Sequence, residues 1–274
     1  MTQLINPKKF TDVTGRLRSF FLGKNFQEVH TQNRLSILAA CEDPQTVSTY
    51  NYSGQVWPLP QTGQMWLEYE LLKNPAVPGF FCISTSYRQE PHPIKGRHDL
   101  IFPMFEFEFP GTVVELEAME KELLEYLGYC NKNTIVVKNY TEWADSFGVE
   151  ELTHKHEELM CKNNRVCMIK NFPNYTSPFW NMKQNGNNTA SKIDVIIAGQ
   201  ETIGSAERSS DPEQMKKQFH TISGGLYAEL LFGQFGKDRV IKELDDFLEL
   251  DFIPRVGGGI GLTRLIRADT IMNN

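Results

Sequence analysis

The sequence predicts an α+β fold: one antiparallel sheet flanked by helices. Three observations carry that expectation. Helix-spaced and strand-spaced apolar patterns succeed one another as helix, strands, helix, strands, helix, Gly-rich strand, helix. Two apolar stretches, Phe80–Tyr87 and Leu100–Phe109, flank a loop rich in Pro, Lys and Arg, as antiparallel partners do. With 274 residues, 40% hydrophobic and 23% charged, the chain is long enough to bury a sizeable core.

The elements follow in order. Asn6-Pro7 opens a helix in which Phe10, Val13, Leu17 and Phe20 recur at helical spacing, and Gly23 closes it. Phe26 to Thr31 alternates like a strand. Pro58, Pro60 and Gly63 mark a loop leading into a helix near Met65–Leu72. After the strand pair, Thr112 and Glu115 have capping-box spacing, and Leu116, Met119, Leu123 and Leu127 continue a helix to Gly128. Residues 130–190 read as the least regular part, with 181–190 a polar loop. Ile193–Ala198 reads as a buried strand that 202–211 continues. Pro212 starts a short helix, Arg239–Leu250 is amphipathic, and the Gly-rich strand and last helix close the order.

Composition excludes several classes. No run of about 18 apolar residues exists to span a membrane, and the N-terminus has no apolar signal core. Five scattered cysteines form no disulfide framework, which reads as a reduced, cytoplasmic protein. Cys161 and Cys167 near His154 and His156 fit no standard zinc spacing. The net charge of −6 gives nucleic-acid binding no help, although a local basic patch would suffice for it.

Three segments carry chemistry. In Val256–Thr270, glycines at 257, 259 and 261 precede Arg264, so a flat ligand could lie against backbone beside a guanidinium. Around the 80–109 hairpin, Arg88 and Glu90 end one strand while Arg97 and His98 begin the next, a grip suited to polyphosphate. Phe102 follows, where a ring could stack on a purine, and Glu106 and Glu108 share one strand face. In 194–208, Asp194 and Glu201 flank a buried strand and could share a magnesium ion, and Gly199 and Gly204 invite close approach. Taken singly, each segment is equally compatible with solvated charge or tight packing.

Together these segments resemble the catalytic domain of class II aminoacyl-tRNA synthetases, in the aspartate/asparagine/lysine subgroup. Residues 10–31, 81–108 and 256–267 resemble motifs 1, 2 and 3, and 194–208 resembles the subgroup's magnesium and amino-acid strand. The resemblance implies a single catalytic domain over 1–274, most like a stand-alone relative of asparaginyl-tRNA synthetase without the OB-fold anticodon-binding domain. It implies an ATP-dependent ligase that forms an aminoacyl-adenylate, a cytoplasmic homodimer of protein biosynthesis using ATP and Mg2+. The tRNA acceptor end is a possible partner.

The implied ATP site comprises Arg88 on the α-phosphate, Glu90 on the adenine edge, and Phe102 and Arg264 on the two ring faces. Arg97 and His98 would hold the outer phosphates, Gly261 would belong to the same ATP site, and Asp194 and Glu201 would ligate the metal. Arg88, Glu201 and Arg264 would be the catalytic set. Thr62, Gln64, Glu68, Gly204 and Arg208 would form the amino-acid site. Leu67 stands where aspartate enzymes carry lysine, so Glu68 and Arg208 are expected to hold a carboxamide, which reads asparagine, or alternatively aspartate. The same pair also suits aspartate bound in reverse, which would make a free-standing asparagine synthetase using ammonia. Modification of a protein lysine and a non-catalytic regulatory paralogue are the remaining alternatives. Gln32, Ile101 and Thr263 depart from the family pattern, Gln32 at the expected dimer contact.

Overall fold

A computed structural model describes residues 4–32, 35–37, 46–94 and 97–272. Helix α1 (Pro7–Gly23) starts where the Asn6 side chain accepts the Lys9 N–H at 3.1 Å. A two-residue strand β1 (Gln27–Glu28) and a small hairpin, β2 (Thr49–Tyr52) and β3 (Gln55–Pro58), precede α2 (Gln64–Lys73). The long pair β4 (Phe80–Tyr87) and β5 (Ile101–Pro110) is antiparallel, in register from Phe80↔Glu108 to Tyr87↔Ile101. Helix α3 (Val113–Tyr126) begins with the expected Thr112/Glu115 capping box.

The stretch 130–190 is more regular than its sequence suggests. It holds β6 (Val136–Asn139), α4 (Tyr140–Phe147), α5 (His154–Met160), β7 (Val166–Pro173), β8 (Gln184–Asn185) and the start of β9 (Thr189–Ile197). The polar segment 181–190 is not a free loop. Asn188 adopts φ 58°, turning β8 back onto β9, and Asn181 is fully buried. Then come β10 (Gln200–Glu207), α6 (Pro212–Thr221), α7 (Leu226–Phe235), α8 (Lys237–Leu248), β11 (Arg255–Gly261) and α9 (Leu262–Met272).

Nine strands form one sheet in the order β1-β4-β5-β11-β10-β9-β7-β6, with β8 added against β9. Its centre is antiparallel as expected, but the two outer pairings, β1 with β4 and β6 with β7, are parallel, so the sheet is mixed. The strand expected over 26–31 shrinks to β1 because it pairs only at this edge. Alternation sorts the sheet's two faces. Phe105, Phe107 and Phe109 of β5 point into the main core against α1, α3 and α9, where Phe81 and Phe105 stack at 5.1 Å. Helices α6–α8 build a second core around Trp180, Phe219 and Phe247. The face opposite the main core is left for the site.

Candidate active site

That face carries a cavity of about 250 Å³. Its floor is β11. Gly257 and Gly259 turn their missing side chains toward β5, where a Cβ at 259 would stand 2.5 Å from Met104 Cε and one at 257 would strike the Glu108 carboxylate and the Phe107 carbonyl. Only glycine leaves this backbone open to a ligand. At one end lie Arg88, Phe102, Gly261, Glu201 and Arg264, and at the other Thr62, Gln64, Gly204 and Arg208. Nine residues expected from sequence are therefore brought to one cavity.

At the first end the Arg88 guanidinium sits 5.4 Å from the Phe102 ring centroid, a cation–π arrangement that prepares a flat, electron-rich surface. Arg264 donates to the Glu201 carbonyl at 2.9 Å and lies 3.7 Å from its carboxylate. Its charge is thus directed at the same strand that bears Glu201.

At the second end α2 aims its N-terminus at Glu106. The Gly63 N–H donates to that carboxylate at 2.9 Å, the Ser84 hydroxyl at 2.5 Å, and the Thr62 hydroxyl joins them. Burial pushes the Glu106 carboxyl above its usual range, and these donors oppose the rise. Behind it, Arg208 donates to both Glu108 oxygens at 3.4 Å, and Gln64 donates to the Phe107 carbonyl at 3.2 Å and to Glu108.

Five expected residues do not line the cavity. Glu68 is the clearest correction. It is fully buried behind the wall, where Arg255 grips it at 2.8 and 3.0 Å and Asn181 donates to it at 2.8 Å. A carboxylate with those partners has no lone pair aimed at the cavity, so the direct contact with a carboxamide is lost. Arg97 turns away to Glu157 at 2.7 Å and Glu158 at 3.3 Å on α5. His98 Nδ1 and Glu90 lie 2.6 Å from each other instead of reaching the cavity. Asp194 shares the cavity-facing side of β9 but is buried beside Lys192, whose ammonium lies 2.8 Å from Asp194 Oδ2.

Asp194 and Glu201 do face one way, close enough to influence each other. Burial, opposed by Lys192 and reinforced by Glu201, lifts the Asp194 carboxyl to about 7. Its other oxygen, Oδ1, is buried without a hydrogen-bond partner. An orphaned carboxylate oxygen beside a second carboxylate fits a magnesium ion that takes its remaining ligands from phosphates. Among the described residues there is no set of three or more His, Cys, Asp or Glu side chains placed to hold a metal on their own.

Sequence reasoning missed Met104, Phe179, Met182 and Lys192 as cavity residues, and noted Glu106 only for its strand face. The alternation that pairs Lys192 with Asp194 on one face was available in the sequence. The packing of Phe179 and Met182 over the cavity was not.

Known proteins share this architecture. The asparaginyl-tRNA synthetase of Pyrococcus horikoshii, solved with asparaginyl-adenylate, superposes with a TM-score of 0.79 at 18% identity, over 96% of this chain and 64% of its own. The aspartyl-tRNA synthetase of Entamoeba histolytica gives 0.71 at 17%, over 97% and 56%. In sequence, the cytoplasmic aspartate–tRNA ligase 1 of Arabidopsis thaliana is 24% identical over 94% of this chain. The chain spans 52% of that relative's length. The family model for class II tRNA synthetases (D, K and N) matches residues 6–273, and with that near-complete match the chain belongs to the class II tRNA synthetase family that serves aspartate, lysine and asparagine.

Proposed function

We propose that this chain is an ATP-dependent ligase that activates aspartate or asparagine as an aminoacyl-adenylate. One observation carries the reading: a single glycine-floored cavity holds an aromatic ring and two arginines at one end and a donor-held carboxylate at the other. The first end suits a purine nucleotide and its α-phosphate, and the second an α-ammonium.

ATP enters as substrate. Phe102 and Arg88 position the base and α-phosphate, and Arg264 sits at the Glu201 side. The amino-acid carboxylate attacks the α-phosphorus, the bond to the bridging oxygen breaks, and pyrophosphate leaves with its electron pair. No side chain needs to take a proton, because the attacking group is already an anion; positioning and charge neutralisation do the work. Asp194 and Glu201 would hold Mg2+, which supplies positive charge to the phosphate oxygens.

The reading includes one catalytic domain over 1–274, a cytoplasmic homodimer, and an acyl acceptor that is the tRNA acceptor end or ammonia. The relative named as cytoplasmic supports the location. Among the described residues no helix is long and apolar enough to cross a membrane. The test is amino-acid-dependent exchange of labelled pyrophosphate into ATP. Exchange with aspartate or asparagine is expected; silence with both, in protein that binds ATP, removes the reading.

A further inference from the structure

A pair of side chains outside the cavity carries chemistry of its own. Cys161 caps the C-terminal end of α5, and a short turn leads from it into β7, where Cys167 lies. That turn brings the two thiols back together. Cys167 stands opposite Ile196 in the β7–β9 ladder, and Cys161 Sγ lies 3.9 Å from the Ile196 carbonyl oxygen. Cys167 Sγ in turn donates to the carbonyl of Met160, the residue before Cys161, at 3.5 Å. Each sulfur thus touches backbone beside the other, and the two thiols hydrogen-bond to each other.

The two sulfurs differ in access. Cys167 is fully buried in the apolar cluster that also holds Met160, Ile169 and Ile196. Cys161 is half-buried and lines a surface cleft with Glu158, Arg165 and Met272. They differ in acidity as well. The hydrogen bond from Cys167 holds the Cys161 thiol below its usual range, opposed by burial and helped by the Gly199 N–H. The proton of that bond stays on Cys167, whose own thiol is pushed up. Burial also pushes Cys82 up, and Cys130 to about 11. The thiolate is the nucleophilic form. Among the described cysteines, Cys161 is therefore the one that is both reachable and disposed to ionise, and it has a second thiol directly behind it.

We propose that Cys161 and Cys167 are a peroxide-reactive thiol pair that closes to a reversible intramolecular disulfide. The pair lies outside the cavity, so this chemistry is independent of amino-acid activation. The Cys161 thiolate attacks one oxygen of a hydroperoxide. An S–O bond forms, the O–O bond breaks, and the other oxygen leaves and regains the proton that Cys161 gave up. The Cys167 sulfur then attacks the sulfenic sulfur of Cys161. An S–S bond forms, the S–O bond breaks, and the hydroxyl leaves with the Cys167 proton as water. Two thiols are oxidised and one peroxide is reduced; a dithiol reverses the change by exchange. Closure brings the sulfurs to about 2.05 Å and takes Cys161 off the Gly199 N–H. Gly199 packs against α5, since a Cβ there would stand 3.2 Å from Glu158 Cα. The disulfide therefore loosens the turn between β9 and β10.

The experiment treats the full chain with hydrogen peroxide, then denatures, alkylates and maps it by mass spectrometry. The unmodified chain is expected to lose two hydrogens, with the bond mapped between Cys161 and Cys167 and both thiols recovered by dithiothreitol. Cys167→Ser should instead gain one oxygen at Cys161, trapped by dimedone as the sulfenic acid. Before oxidation, iodoacetamide should alkylate Cys161 at least about tenfold faster than Cys130. Hydrogen exchange at residues 198–201 should quicken in the oxidised chain, and unchanged exchange there would overturn the effect on the turn. A disulfide to any other cysteine would overturn the pair, as would oxidation of Cys82 or Cys130 ahead of Cys161. So would a Cys161 that stays a free thiol, or one that runs on to sulfinic acid beside an intact Cys167. The unmodified chain decides the point even where the serine variant does not fold.

Discussion

Arg97 places its guanidinium 2.7 Å from the Glu157 carboxylate, a contact that ties the loop between β4 and β5 to helix α5. The same carboxylate accepts the backbone N–H of Glu201 at 2.9 Å. Glu157 therefore holds Arg97 and the strand that bears Glu201 at one point. In the proposed reading, a nucleotide's outer phosphates would compete with it for Arg97. Glu157→Gln keeps an oxygen for the Glu201 N–H but removes the competing charge. It should tighten ATP binding about three- to tenfold, in line with the modest worth of a partly exposed ion pair. Calorimetric titration checks this, and weaker binding would mean that Glu157 prearranges Arg97 instead.

Arg264→Ala should weaken ATP binding by ~1–3 kcal/mol, the range for a hydrogen bond to a charged group. The variant removes a cation from the nucleotide end and frees the Glu201 carbonyl. An unchanged ATP dissociation constant would place the nucleotide elsewhere.

Glu68→Gln should cost about 3–5 kcal/mol of stability, because it leaves Arg255 as an uncompensated buried charge. For a chain of this size that is on the order of a 10 °C fall in Tm, read by thermal melting. Glu68→Lys, which an exposed pocket position would tolerate, should fail to fold, since it sets a second cation against Arg255. A soluble Glu68→Lys variant with normal Tm would return Glu68 to the cavity.

Glu120 on α3 is wholly buried against the back of the sheet, and that burial lifts its carboxyl to about 8, with the Ser205 hydroxyl pulling the other way. The folded state thus keeps a proton that the unfolded chain releases near 4.5. Stability from this group is fully present below pH 4.5 and is lost as pH rises toward 8, by on the order of 4 kcal/mol. Glu120→Gln should flatten that slope and melt above the unmodified chain at pH 8. Parallel denaturant titrations at pH 5 and pH 8 supply the check, and identical slopes in both proteins would refute it.

Local signals in the sequence located most elements. Asn6 and the Thr112/Glu115 box give helix starts that depend only on neighbours three residues away, and both form as read. Phe102, Arg88 and Arg264 were legible because strand ends and a glycine run mark where a ligand can approach. Glu68 was misplaced because its fate depends on Arg255, 187 residues away, and no local pattern reports that pairing. Arg97, His98 and Glu90 belong to a loop whose course is set by contacts with α5, itself in the stretch read as irregular. The β8–β9 hairpin within 181–190 and the bond from Asn181 to Glu68 were hidden for the same reason: polar side chains look solvent-bound until a buried partner claims them.

The glycine floor constrains how this cavity can change over evolutionary time. At Gly257 and Gly259 there is no side chain to shorten, so every accessible mutation there adds atoms and subtracts room. Enlargement has to come from the side chains around that floor, such as Met104, Phe179 or Met182. Descendants of this chain can narrow their substrate range through one floor mutation, whereas broadening it requires changes on walls contributed by separate strands and loops. The direction of drift in substrate choice is thus biased by the backbone itself.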